Sequence, residues 1–341
     1  MPLLTLIVPT YKRADSLELL LTALRAELAS TSDEVAVIVT DNASPDRTPE
    51  VTAAAQAAWP SLVVQRHARN LGPDDNFCSA VDRVASRYFW IISDDDMPKR
   101  GVIAQILALL KKTSPALVYM DSEWINPVTG PDQGTPVGAL RFDVLDGLAF
   151  ARQVHVWVTF ISGMVVDHEL LLRQLGKQTI RRFHGSSLVQ LGWVLPLLQA
   201  DARFVHVYDR CVLATKDNSG GYPLLTVFGA RFARIVNDTL GRDSPLARTL
   251  VRGNILRYLP GRIWVERISP SAGYEKEDPW PAMRDELRTQ PLFWLLLLPL
   301  VRFPRWLAQP FYQAWRVFHR LDRERQAARA RVAQVSGARA E

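Results

Sequence analysis

Three consecutive carboxylates, Asp94, Asp95 and Asp96, follow the apolar run Tyr88-Phe-Trp-Ile-Ile92 and Ser93. Adjacent carboxylates repel one another, so a bound cation is the simplest way to keep them ionised together. Their hard oxygens suit Mg²⁺ or Mn²⁺, ions that retain waters and also bind substrate phosphates. A solvated acidic turn capping the next helix would use the same residues. The apolar run itself reads as a buried strand. Acidic groups at the carboxyl end of such a strand stand where open α/β sheets bind ligands.

Other strand-like runs end in the same way. Leu3–Val8 leads into Pro9-Thr-Tyr-Lys-Arg13, and Val35–Val39 leads into Thr40-Asp-Asn-Ala-Ser-Pro45. Leu62–Arg66 leads into His67-Ala-Arg-Asn-Leu-Gly-Pro73. Between them lie helical patterns. The first is capped by Asp15 or Ser16, with an apolar face of Leu17, Leu20, Leu21, Leu24 and Leu28. Others span Thr48 to Trp59, Asp74 to Ala85 and, opened by Pro98 and Lys99, Gly101 to Lys112. The alternation predicts an α/β fold, a mainly parallel sheet flanked by helices, with all four polar strand ends on one edge.

Bulk properties narrow the function class. The chain has 341 residues, 48% of them hydrophobic and 22% charged, as in globular proteins. Cys78 and Cys211 are too few for a disulfide framework or a zinc site. No secretory leader is expected from the first residues, which go directly into a strand pattern. From Arg302 onward nine arginines face Asp322, Glu324 and Glu341, so this stretch carries the whole net charge of +6. A basic end on a neutral body argues against general nucleic-acid binding and for a local partner such as an anionic membrane surface.

Pro9-Thr-Tyr-Lys-Arg13, Asp41-Asn42, Arg69-Asn-Leu-Gly72 with Asn76, and Ser93-Asp-Asp-Asp96 keep their order and spacing within residues 1–120. Together they resemble the family 2 glycosyltransferases of GT-A fold, in the manner of the abequosyltransferase-like bacterial enzymes of O-antigen and capsule assembly. The resemblance implies a nucleotide-diphosphate sugar donor and Mn²⁺ or Mg²⁺ as cofactor. Asp41 would accept hydrogen bonds from the base, and Pro9, Thr10 and Tyr11 would line the nucleotide pocket. Lys12 or Arg13 would lie near the diphosphate or ribose, with Asn70, Gly72 and Asn76 in the same pocket. Asp94, Asp95 and Asp96 would hold the metal, the first two also reaching the donor. Ser162 and Gly163 would back the donor sugar, and Lys216, in Thr215-Lys-Asp-Asn-Ser-Gly-Gly221, would contact phosphate. The rival of the same fold, a sugar nucleotidyltransferase, would want a glycine-rich phosphate loop, and Pro9–Arg13 contains no glycine.

The acceptor half is less defined. Val156–Val166 reads as a long strand and Leu145–Val154 as a helix. An inverting transfer needs a base within reach of the acceptor hydroxyl. Where the family carries an acidic residue, this chain has Gln190, and no Asp or Glu lies between Glu169 and Asp201. His184 is the nearest titratable substitute; Asp143 and Asp146 are alternatives. A non-catalytic scaffold that only binds nucleotide sugar is the reading of another class.

The division expected is a catalytic domain over 1–222, with a nucleotide-sugar half to about residue 120 and an acceptor half after it. A helical appendix over 223–285 and an amphipathic basic region over 286–341 would follow, the latter ending in a disordered tail. Two helices are expected in the appendix, Leu224–Leu240 and Pro245–Leu259. Pro291–Val301 is strongly apolar but far short of the ~20 residues a spanning helix needs. With Trp294, Trp306, Phe311, Tyr312, Trp315, Phe318 and the arginines of Arg316–Arg331, it fits an interfacial helix at the inner face of the cell membrane, on a cytoplasmic protein. That location suits a lipid-linked glycan acceptor. A second copy of the chain, as in a homo-oligomer, is the other candidate for the same apolar surface.

Overall fold

The computed structural model describes residues 1–31, 33–126, 133, 135–216, 221–269 and 273–337. Residues 217–220 of the segment expected to contact phosphate and the last residues of the tail lie outside them. The chain forms two compact units, residues 1–147 with 158–216, and residues 148–157 with 217–341.

The first unit is built on one sheet. Strand β1 (Leu4–Thr10) is buried along its whole length, as its unbroken apolar sequence requires of a strand covered on both faces. Helix α1 (Ala14–Glu27) returns the chain to β2 (Val35–Asp41), and α2 (Thr48–Ala58) returns it to β3 (Val63–Arg66). Helix α3 (Pro73–Val81) then leads to β4 (Tyr88–Ile91). β1 pairs in parallel with β2 and β4, and β2 with β3, so the ends of all four strands share one edge.

The second half of the sheet is mixed. After β5 (Met97–Pro98) and α4 (Val102–Thr113) come β6 (Leu117–Ile125), β7 (Phe142–Leu145), β8 (Met164–Asp167) and β9 (Phe204–Thr215). The sheet order is β3-β2-β1-β4-β8-β6-β9-β5, with β7 also on β9. β8 is antiparallel to β4 and β6, while β6 and β9 run parallel.

Two readings change here. Met97 and Pro98 do not open a helix but pair with Leu213 and Val212, at the end of the sheet order, where a proline's missing N–H is tolerated. Helix α4 starts later, after Gly101 in a left-handed conformation (φ 80°). Val156–Val166 is not one strand. Its first part forms 3₁₀ turns over His155–Thr159 and Ile161–Gly163, and only Met164–Asp167 is extended. Its β-branched residues favour a strand, but β4 and β6 offer ladder partners only to residues 164–167.

The second unit is helical. The expected Leu224–Leu240 helix carries a π-helical segment at Thr226–Arg231 before the α-helix Phe232–Leu240. The expected second helix runs over Pro245–Arg257, and a further helix, Leu259–Ile268, follows it. The last helix, Arg305–Gly337, continues into the stretch expected to be disordered. No helix among the described residues is long and apolar enough to cross a membrane.

Candidate active site at the carboxyl edge of the sheet

The turn after β4 is held from three sides. Arg13, just past β1, reaches Asp94 at 2.9 Å and Asp95 at 3.0 Å. At the end of β9, the Thr215 amide donates to Asp96 Oδ1 (2.9 Å) and its hydroxyl to the Asp95 carbonyl (2.5 Å). From behind, Ser162 Oγ accepts from the Ser93 amide (3.0 Å), while Trp90 Nε1 donates to the Ser162 carbonyl (2.8 Å). Ser93 Oγ donates to Asp95 (2.5 Å). Arg13 and Thr215 are thus joined to the acidic turn by topology, although they lie far from it in sequence.

The electrostatics follow from burial. Asp94 and Asp96 are buried, and Asp95 is partly exposed. Burial pushes Asp94 up to about 6, against the opposing pull of Arg13. It pushes Asp96 up to about 7, with the charge of Asp95 adding to the rise. Burial works against the Arg13 charge, but Asp94 and Asp95 outweigh it and hold the guanidinium protonated. Asp94 Oδ2 and Thr10 Oγ1 are both buried, and the Thr10 hydroxyl is close enough to favour the Asp94 carboxylate.

These features fit a divalent cation. Two buried carboxylates driven toward protonation are what a cation would relieve. The fit is to one or two protein ligands, with phosphate and water completing the shell. Among the described residues no three acidic, His or Cys side chains converge to hold a metal, since Asp94 turns to Arg13 and Asp96 to Thr215.

The nucleotide side is equally ordered. Asn42, buried after β2, donates to Asn70 Oδ1 (2.9 Å) and the Gly72 carbonyl (3.0 Å) and accepts from the Leu71 amide (2.8 Å). Gly72 takes φ 83°, which permits this turn before α3. Asn76 donates to the Thr40 carbonyl (3.2 Å), tying α3 to the end of β2. Asp41 is buried; Oδ1 accepts from the Ser44 amide (2.8 Å), and Oδ2 is ion-paired with Arg66. Base recognition by Asp41 would therefore need the partly exposed Arg66 to swing away. Tyr11 stands exposed at the edge with Lys12 Nζ 5.2 Å from its ring.

Other expected residues take structural positions. Pro9 is buried within β1 and pairs with Thr40. Ser162 is wholly buried and supports the acidic turn rather than facing the crevice. A Cβ at Gly163 would lie 2.8 Å from the Phe160 ring and 3.1 Å from the Met120 carbonyl, so close packing requires this glycine. Lys216 is exposed, its amide bound to the Ile125 carbonyl (2.9 Å).

The acceptor half differs. Gln190 is buried, and its Nε2 donates to the Thr159 carbonyl (2.9 Å). His184 is half-exposed and pairs with Asp75 at 3.1 Å. Its segment docks on the first turn of α3, where Asp74 accepts from the amides of Gly185 (2.8 Å) and Ser187 (3.4 Å). Asp143 accepts from the Tyr208 hydroxyl (2.5 Å) on the β7–β9 pair, and Asp146 precedes the helix Gly147–Val154. A cleft of about 340 Å³ lined by Lys99, Arg141, Tyr208 and Asp209 lies apart from the strand ends. Its Lys99 and Arg141 are neutralised by Glu123 and Asp209.

Arg66, Asn42, Ser44 and Thr215 are the site residues that sequence reasoning left unassigned. Asn42, beside Asp41, was nearest to legibility, because an Asn after a strand end commonly organises a loop.

All four strand ends fall inside residues 5–160, which match the Glycosyl transferase family 2 model. That segment is similar to the family 2 glycosyltransferases. Over 126 residues it is 30% identical to abequosyltransferase RfbV of Salmonella typhimurium strain LT2. That alignment covers 36% of this chain and 33% of RfbV, so it spans about a third of the curated relative. The fold is shared more widely. S. aureus TarS 1–349 aligns over 95% of this chain and 92% of its own, with a TM-score of 0.61 and 17% identity. TarS has also been solved with UDP-GlcNAc. The mannosyltransferase PcManGT of Pyrobaculum calidifontis, solved with GDP-Man and Mn²⁺, aligns over 94% and 88%, with a TM-score of 0.55 and 16% identity. The chain therefore has the GT-A-like architecture, a mixed α/β sheet with helices, followed by a helical C-terminal region.

Proposed function

We propose that this protein is an inverting, metal-dependent glycosyltransferase that moves a sugar from a nucleotide-diphosphate donor to a lipid-linked bacterial surface glycan. The observation that carries the reading is the acidic turn, locked by Arg13 and Thr215, with Asp94 and Asp96 buried and driven toward protonation. Asp94, Asp95 or Asp96 would hold Mn²⁺ or Mg²⁺, which when bound neutralises charge on the departing diphosphate. Arg13 keeps the turn oriented and adds fixed positive charge beside it. Tyr11, Asn70 and Gly72 shape the nucleotide side, and Lys216 contributes a cation from the end of β9. His184, oriented by Asp75, takes the acceptor proton. The basic, aromatic composition of the C-terminal region supports a location at the inner membrane face. The abequosyltransferase likeness supports a surface-glycan acceptor.

One observation favours a second reading. Gln190 is a committed core residue, bonded to Thr159, and supplies no base. A scaffold that binds nucleotide sugar without transferring it would show that arrangement. Incubating the full chain with Mn²⁺ and a panel of nucleotide sugars separates the readings. Metal-dependent release of nucleoside diphosphate from one donor, with sugar appearing on a lipid-linked acceptor extract, supports transfer. Tight donor binding with no turnover on any acceptor extract would establish the scaffold instead.

A further inference from the structure

The most apolar C-terminal run is not the most exposed. In Pro291–Val301 the structure buries Phe293, Leu297, Pro299 and Leu300, leaving Trp294 and Leu295 outside. The exposed apolar surface moves to the last helix, Arg305–Gly337.

That helix has three faces. One packs on its own unit. Ala308 is wholly buried, Tyr312 stacks on Trp264 with ring centroids 4.5 Å apart, and Trp315 Nε1 donates to the Leu256 carbonyl (2.7 Å). A second face is apolar and exposed, formed by Trp306, Leu307, Phe311, Val317, Phe318 and Leu321, with Trp306 72% exposed and Val317 51%. At ~100° per residue these six fall in one sector of about 140°. Arg305, Arg316 and Arg320, all exposed, line the border between the two faces.

An amphipathic helix packed on its body normally turns its apolar stripe inward. Here one aromatic stripe is packed and a second is left outside, bordered by arginines. We propose that this second face is the membrane-docking surface, lying in the headgroup region of an anionic bilayer. The proposal deepens the membrane placement above and rests on that part of the reading alone. Charge complementarity selects the occupant. The stretch from Arg302 onward carries the chain's entire +6, so anionic headgroups are attracted, whereas a second copy would bring arginines against arginines.

Flotation of the full chain with vesicles tests this. With equal parts phosphatidylcholine and phosphatidylglycerol the protein floats; with phosphatidylcholine alone far less does. Trp306→Ser, Phe311→Ser and Phe318→Ser each lower partitioning by about tenfold, and together abolish flotation. Arg316→Gln and Arg320→Gln each lower it about fivefold, on anionic vesicles only. Unchanged thermal midpoints show that the variants remain folded, as expected for exposed positions. Flotation of the triple variant like the parent would overturn the proposal. So would a chain that stays in solution as a dimer and becomes monomeric on the triple substitution. Donor turnover is scored separately: flotation without turnover supports the face and counts against transfer, whereas turnover without flotation counts against the face.

Discussion

Two parts of the catalytic unit ask for opposite chemistry and are built in opposite ways. The turn after β4 concentrates three carboxylates in adjacent positions, and the fold brings Arg13 and Thr215 to them. The segment from His184 to Gln190 holds no carboxylate, and its one titratable group borrows Asp75 from α3. Stabilising a departing diphosphate needs charge density, which neighbouring residues supply directly. Activating an acceptor needs one proton acceptor in one place, which distant segments can assemble. The first kind of site is therefore written in contiguous sequence, and the second only in topology.

The largest effect expected is at the acidic turn. Asp96→Ala lowers transfer on the order of 10³-fold. Asp96→Asn keeps an acceptor for the Thr215 amide and loses the charge. An equal loss in both variants shows that charge matters. Recovery in Asp96→Asn would make the residue an anchor for β9, to be read in initial rates per folded protein.

The acceptor side should respond more weakly and in a divided way. His184→Ala lowers kcat by about 10²-fold. Gln190→Ala removes the hydrogen bond to the Thr159 carbonyl and costs about 0.5–1.5 kcal/mol of stability, with kcat per folded enzyme little changed. Denaturant melts alongside kinetics check both. The reverse pattern, Gln190 governing kcat and His184 only stability, would break the comparison.

Behind both sits Gly163. Gly163→Ala drives a methyl toward Phe160 and the Met120 carbonyl, at a cost of about 1–3 kcal/mol, visible as a lower melting temperature.

The smallest effect is a pH dependence. Burial raises the folded-state proton affinities of Asp94 and Asp96, to about 6 and about 7. A raised carboxylate contributes stability below its unfolded-state value and loses it as pH rises through the folded value. The metal-free chain should lose stability between about pH 4 and 7, and Asp94→Asn/Asp96→Asn should flatten that slope. Mn²⁺ should recover stability at the alkaline end and little at the acid end, where protons occupy its ligands. Melting curves across pH with and without Mn²⁺ read it.

Much of this was legible in residues alone. The strands at β1, β2 and β4, and the polar ends that converge on one edge, follow from apolar runs broken by Pro9, Asp41 and Asp94. The helical spacing of Leu17, Leu20, Leu21 and Leu24 gives α1 and its buried face. What escaped depends on partners. Met97–Pro98 is extended only because β9 runs beside it. Val156–Val166 breaks because partner strands reach only part of it. Arg66 and Thr215 look unremarkable until the fold sets one against Asp41 and the other against Asp96. Composition showed that the C-terminal region is apolar and basic. It did not show that Phe293 and Leu297 point inward while Trp306 and Phe318 point out.

The central claim is that the acidic turn binds a donor diphosphate through a divalent cation. Calorimetric titration of the full chain with UDP and with GDP, in Mn²⁺ and in EDTA, tests it most directly. The account predicts that one nucleotide binds at least about tenfold more tightly with Mn²⁺, and that Asp96→Asn abolishes the difference. Equal affinity in Mn²⁺ and EDTA, unchanged in Asp96→Asn, would contradict it.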